Sequence, residues 1–304
     1  MRVFSKIVLI LVLLIALGFV AREIREAKTA KLSTHLRSDE NIKVLILGDS
    51  HAVAGIDPDY IPDSANWAQV GEELEYSYYK LVHATRAHAP KELILSCSYF
   101  NFLAPNDTEW EMQRRYHPLL DKEFYQAKSA FREMDASIRY HYLKDILMPA
   151  YLPIGILNDV ALLYGSPNFI GAYDRRRGST IGDIRSLHKA VSRHYYDGNG
   201  LREISALRVY FFDKIISHCQ AHDIRLWVVN TPLHPEYTLS VPPQISRPYY
   251  EIIKDRHEHF RFLDHSSMSL PNEMFFDYDH LNHHGAQLLS DLIAADLQTD
   301  HLLP

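Results

Sequence analysis

Four short runs constrain most tightly what this chain can fold into. Ile42-Lys43-Val44-Leu45-Ile46-Leu47-Gly48, Glu92–Cys97, Ile224–Asn230 and Phe260–Asp264 are mainly apolar and rich in aliphatic side chains. A strand that is apolar on both faces is buried on both faces, the pattern of a parallel sheet held between helices. Helical patterns separate the runs: Glu73–His88 precedes the second, Leu201–His222 the third and Tyr249–His257 the fourth, and Gly285–Leu297 closes the chain. Trp67–Val70 reads as a further short strand. This alternation predicts an α/β fold with a mainly parallel sheet, helices on both faces and a site beyond the carboxyl ends of the strands.

The 304 residues suit one large domain, or a domain with a sizeable insertion. Between about residues 104 and 200 the alternation stops. That stretch is helical in pattern and rich in tyrosine, and its Met148–Gly155 piece holds two prolines and a glycine, a poor membrane helix. It reads as a helical insertion serving as a lid or substrate platform. Asp174-Arg175-Arg176-Arg177-Gly178 within it is a solvated loop or a contact for an anionic glycan or lipid head group. At the amino end, Arg2 and Lys6 precede an apolar run from Ile7 to Ala21, short of the ~20 residues that span a bilayer comfortably. It is read as a membrane anchor, with a signal peptide cleaved near Ala16-Leu17-Gly18 as the alternative. Residues 1–31 then form anchor or signal segment and stalk, and 32–304 the main domain with its insertion. Arg22, Arg25, Lys28 and Lys31 follow the run, where the positive-inside rule favours the cytoplasm.

A net charge of −6 argues against a sequence-independent grip on nucleic acid. Two cysteines, Cys97 and Cys219, make no disulfide framework. Cys219 continues the stripe Ile204, Leu207, Phe211, Ile215 and reads as a buried thiol. No cofactor motif is evident.

Two segments carry chemistry. Gly48-Asp49-Ser50-His51 follows the first strand directly. Glycine permits a sharp turn, and a helix opening at Ser50 leaves that residue's N–H free to meet a developing oxyanion. The plainer reading is that Asp49 or Ser50 caps a helix. Near the other end lies Phe276-Asp277-Tyr278-Asp279-His280-Leu281-Asn282-His283-His284-Gly285. Asn282 is a good helix cap, and the spacing of Asp277 and His280 lets a carboxylate orient an imidazole and stabilise its cation. Asp277, Asp279, His280, His283 and His284 are also all metal-ligand types, but His283 and His284 are expected to diverge once the helix starts, so no metal is expected. The Gly-x-Ser-x-Gly elbow of ordinary α/β-hydrolases is absent.

Gly48-Asp49-Ser50 with Asp277-x-x-His280 resembles the SGNH (GDSL-type) hydrolase superfamily. Thr231-Pro232-Leu233-His234-Pro235 and Phe262-Leu263-Asp264-His265-Ser266 are similar to its envelope-associated branch, which includes the D-alanyl-transfer protein of teichoic acid assembly and polysaccharide O-acetyltransferases. The resemblance covers roughly Lys43–Cys97 and Arg225–Leu297. It implies a flavodoxin-like three-layer sandwich with Ser50 as nucleophile, His280 as general base and acid, and Asp277 as orienter. It also implies oxyanion donors from Ser50, from Gly71 after Asn66-Trp67-Ala68, and from an asparagine in a Gly-x-Asn-Asp block. That block is missing after Leu95; Asn101 is the nearest substitute and Asn106-Asp107 the next. His51 and His234 are expected at the rim, meeting substrate. The implied function is ester hydrolysis or O-acyl transfer on an envelope polysaccharide or glycolipid, outside the cytoplasm, beside polysaccharide-assembly membrane proteins. The rival expectation is a non-catalytic assembly or glycan-binding protein that keeps the fold.

Overall fold

The computed structural model describes residues 42–104 and 170–301 apart from 199, together with 6, 116, 119, 120 and 122–131. The chain divides into two compact units, Met1–Asp39 with Gln113–Asn168, and Glu40–Met112 with Phe169–Pro304. The first contains a helix, Lys122–Ala130, on which the Phe124 and Tyr125 rings meet edge to face. Residues 170–200, the later part of the expected insertion, belong to the second unit. Asn106, Asp107, the Ile7–Ala21 run and Met148–Gly155 lie outside the described residues; among those described, no helix is long and apolar enough to cross a membrane.

The second unit runs β1 (Val44–Leu47), α1 (Ser50–Gly55), β2 (Ser64–Asn66), α2 (Leu74–Ala87), β3 (Glu92–Ser96), α3 (Ile184–Tyr195), β4 (Tyr196–Asp197), β5 (Gly200–Leu201), α4 (Ala206–Ala221), β6 (Arg225–Asn230), α5 (Pro235–Leu239), α6 (Pro243–Lys254), β7 (Arg261–Asp264) and α7 (His283–His301). Five strands form one sheet in the order β2-β1-β3-β6-β7, every neighbouring pair parallel. Counted among themselves they run 2-1-3-4-5, a doubly wound order whose crevice opens where the order reverses, beyond β1 and β3. Side chains alternate across such a sheet. Val44 and Ile46 of β1, Ile94 of β3 and Trp227 and Val229 of β6 pack with Ala52 and Val53 of α1 and with Leu289, Ile293 and Leu297 of α7. Leu45, Leu93, Leu95, Leu226 and Val228, equally buried, have the opposite parity. There α4 lies against β6 and α2 against α4.

Strands β1, β3, β6 and β7 stand where the apolar runs predict them. β2 is the correction. It is polar and precedes Trp67–Val70, because this edge strand is specified by backbone bonds rather than by side-chain pattern. Asp63, at φ 56°, turns its carbonyl to accept from Lys43 and Val44 N–H. The expected stretch still borders β1, with Trp67 and Gln69 N–H donating to Ile46 and Gly48 carbonyls. Asn66 then locks the turn: its side-chain oxygen accepts from Ala68 N–H, and its nitrogen donates to Ala52 and Ile56 carbonyls at the end of α1. Helix α6 begins at Pro243 rather than Tyr249, since proline suits a first helical position. Helix α4 begins at Ala206 rather than Leu201, behind a Ser205 cap that accepts from Arg208 N–H.

Gly48 closes β1 at φ 132°, and a Cβ there would sit 2.9 Å from both Cβ and carbonyl oxygen of Ser96 on the neighbouring strand. Gly48→Ala is therefore expected to destabilise the protein by on the order of 3 kcal/mol through combined strain and overpacking, read as a lowered midpoint in urea denaturation.

Candidate active site

The turn after β1 sets the position of Ser50. Asp49 is the N-cap of α1: one carboxylate oxygen accepts from His51 N–H at 2.9 Å and the other from the Asn101 amide at 2.8 Å. Asn101 sits in the 3₁₀ turn Tyr99–Phe102 just past β3, and its carbonyl oxygen accepts from Ser98 N–H. The ends of β1 and β3 are thus tied across the crevice. Ser50 is the first helical residue, half-buried, and among the described residues nothing accepts from its N–H. Burial pushes the Asp49 carboxyl up to about 6, against the lowering effect of those two hydrogen bonds.

The loop before α7 supplies the partners. Asp277 Oδ1 accepts from the N–H groups of Asp279 and His280 at 3.1 and 2.8 Å. The same carboxylate accepts from His280 Nδ1, at 2.9 Å to Oδ1 and 3.1 Å to Oδ2. With its proton on Nδ1, the ring leaves Nε2 as acceptor for the Ser50 hydroxyl, 2.8 Å away. Asn282 holds this loop on α7. Its oxygen accepts from His284 and Gly285 N–H, and its nitrogen donates to Glu273, Phe275 and Gly178 carbonyls. Burial alone would raise the Asp277 carboxyl; the hydrogen bond and charge of His280 outweigh it and hold the group at about 2. The structure therefore brings Ser50, His280 and Asp277 into one hydrogen-bonded chain. That arrangement makes Ser50 a nucleophile candidate with an adjacent, oriented base.

Behind this chain Asp279, His194 and His51 form a buried polar shell with exposed Arg193 at its edge. Asp279 Oδ2 is 3.3 Å from Arg193 and 3.7 Å from both His194 Nε2 and His280 Nδ1. Burial pushes Asp279 up to about 6, with the His280 charge opposing and the Asp277 charge adding. His194 stacks on Phe100 at 4.3 Å and shares a 2.6 Å hydrogen bond with the Tyr237 hydroxyl; burial holds it well below the ordinary imidazole range. His51 Nδ1 lies 3.0 Å from the Thr231 hydroxyl, and its ring stands 5.0 Å from that of His280.

The other expected residues are placed differently. His234 caps α5, accepting from Glu236 N–H on Nδ1 and meeting Asn272 through Nε2, so both ring nitrogens are engaged away from Ser50. Gly71 sits exposed at φ 74°, with nothing within 4 Å of where a Cβ would stand. The amide of Asn101 braces Asp49. Cys97 and Cys219 are free buried thiols. The His283 and His284 rings do not diverge: their centroids are 3.9 Å apart, and His283 Nδ1 meets the Arg176 carbonyl. Donor atoms of His51, Asp279 and His280 lie within 4.8 Å of one another, but both His280 nitrogens are already bonded. Arg193 and His194 escape sequence reasoning altogether, because nothing local marks them, and Thr231 is visible there only as part of the Thr231–Pro235 piece, with no role assigned to it. Asp279 is visible there only as one ligand type in an Asp/His-rich loop.

Among solved structures, a protein provisionally named an acylhydrolase from Bacteroides fragilis aligns over 85% of this chain and 88% of its own, at 11% identity and a TM-score of 0.40. An active-site mutant of a family two carbohydrate esterase from Clostridium thermocellum aligns over 85% of this chain, at 7% identity and a TM-score of 0.37. The chain covers 64% of that esterase, less than two thirds of its length. One family model matches residues 190–302, under half of the chain. No curated protein matches.

The low value at Asp277 has a stability consequence. Its folded-state pKa lies below the unfolded value of 3.8, so the ionised carboxylate contributes stability that is present above about pH 4 and is lost as pH falls through about 2. For a side chain a quarter exposed this is on the order of 2 kcal/mol. Asp277→Asn should be less stable by up to that amount at neutral pH, with the gap closing between about pH 4 and 2 in a urea-denaturation series.

Proposed function

We propose that this chain is a serine-dependent ester hydrolase or O-acyltransferase acting on a cell-envelope polysaccharide or glycolipid through an acyl-enzyme on Ser50. The observation that carries the reading is the unbroken chain from the Asp277 carboxylate through His280 to the Ser50 hydroxyl. In the first step Ser50 Oγ forms a bond to the ester carbonyl carbon while its proton moves to His280 Nε2. The resulting imidazolium is stabilised by Asp277, and the free N–H of Ser50 donates to the oxyanion. Collapse breaks the ester C–O bond, and His280 returns its proton to the departing alcohol. Water or a sugar hydroxyl, deprotonated in turn by His280, then takes the acyl group from Ser50.

An anionic envelope polymer as substrate is supported by charge around this relay. Arg185, Lys189 and Arg193 recur at helical spacing on the exposed face of α3, and the last of them meets Asp279 beside the relay. Arg175 and Arg177 are exposed as well, while Arg176 between them lies over the Phe276 ring at 5.2 Å. Placement at a membrane, on its outer side, and among polysaccharide-assembly proteins rests on the Ile7–Ala21 run and the motif resemblance alone. A non-catalytic assembly or glycan-binding protein is the second reading, favoured by Asn101, whose amide is bonded to Asp49.

A fluorophosphonate probe decides between them. Labelling is expected on the intact protein and absent from Ser50→Ala, and Asp277→Asn should lower turnover of p-nitrophenyl acetate by roughly 10⁴-fold through loss of the correct tautomer. Labelling that never occurs, or that survives in Ser50→Ala, supports the non-catalytic reading.

A further inference from the structure

We propose that His51 is an oxyanion donor of this site, its Nε2–H supplying the contact that the missing asparagine block would otherwise make; the inference rests on the acyl-transfer reading above. Among the described residues, the inventory of donors around Ser50 is short. Ser50 offers its own N–H. Asn101, the nearest substitute in the sequence, spends its amide on Asp49 and its carbonyl on Ser98 N–H. Gly71 is on an exposed turn.

His51 is the next residue after the nucleophile and is 1% exposed. Among the described residues, its buried Nε2 has no hydrogen-bond partner. A buried polar atom with no partner is rare in a native fold, and a catalytic role is one of its few physical explanations. The other ring nitrogen faces the Thr231 hydroxyl. With no other acceptor for that hydroxyl among the described residues, we assign it as the donor to Nδ1, which leaves the ring proton on Nε2.

The charge state suits the task. Burial first, and then the electrostatic influence of His280, His194, Arg176 and Arg193, hold His51 well below the ordinary imidazole range, so it is neutral. A cationic ring 5.0 Å from His280 would oppose the imidazolium that forms there when Ser50 attacks. A neutral N–H adds no such repulsion and answers charge only as it develops on the carbonyl oxygen. Bond changes remain those of the acyl-transfer step: the Oγ–C bond forms, the Oγ proton goes to His280, the carbonyl π pair moves onto oxygen, and His51 keeps its proton. Half-buried Phe100 stands 5.1 Å from the His51 ring, and the proposal requires the bound acyl group to reach the enclosed Nε2 beside it.

The test compares His51→Leu, which keeps bulk without a donor, with His51→Gln, which restores an N–H. Readouts are the rate of fluorophosphonate labelling, kcat and KM for p-nitrophenyl acetate, and thermal midpoints. Leu should lower kcat and the labelling rate by about 100-fold or more with KM within about threefold, and Gln should recover at least about tenfold. Should the His51 variants fail to fold, Thr231→Val asks the same question, with kcat expected to fall about tenfold at unchanged KM as the tautomer is released. The proposal is overturned if folded Leu and Gln variants are equally active, if kcat and KM move together in both, or if Thr231→Val, standing in for unfolded variants, keeps full kcat. A wild-type protein that never labels overturns the acyl-transfer reading itself; one that labels equally fast with Leu at position 51 overturns only the role of His51.

Discussion

Strand order reverses between β1 and β3, and the site depends on that reversal. Because the chain leaves β1 toward β2 on one side and leaves β3 toward β6 on the other, the connections from these two neighbouring carboxyl ends diverge, and a crevice opens between them. Gly48 lets the two strand ends approach at a distance no side chain tolerates. Asp49 and Asn101 then bridge the opening from one strand's turn to the other's. The nucleophile candidate stands on a floor braced from both sides, with its backbone N–H unspent.

Environment sorts three nearby carboxylates into different roles. Asp277 accepts two backbone N–H groups and an imidazole, and these interactions outweigh its burial. Asp49 and Asp279 are more deeply buried, and burial dominates both. The imidazoles divide in the same way. His51 and His194 are enclosed and held neutral, while His280 is hydrogen-bonded at both nitrogens, to a carboxylate on one side and a hydroxyl on the other. One ring can gain a proton against an ionised partner, and its neighbours are kept from competing for it.

Side-chain patterning made part of this legible in advance. β1, β3 and β6 are buried on both faces, and such strands announce themselves as apolar runs, while β7 at the sheet edge is legible only through half-buried Phe262 and Leu263. β2 does not announce itself, because an edge strand of three residues is held by Asp63, Trp67 and Gln69 backbone bonds to β1 and its ends. Asn282 and Asp49 were readable as caps because capping depends on a side chain one turn from its target. The same locality explains why Asp277 and His280, three residues apart, were readable as a pair.

The amino-acid sequence by itself determined the class of fold, the alternation of strand and helix, and the two local motifs, since each follows from residues within a few positions of one another. Only the tertiary structure decided that Ser50 and His280 meet at 2.8 Å, that Asn101 braces Asp49, and that Arg193, His194 and Thr231 surround the relay. It also moved His234 to a helix cap and, among the described residues, left the Nε2 of His51 without a partner. Contacts of that kind join positions far apart in the chain, and they exist only once the sheet has set which strand ends face one another.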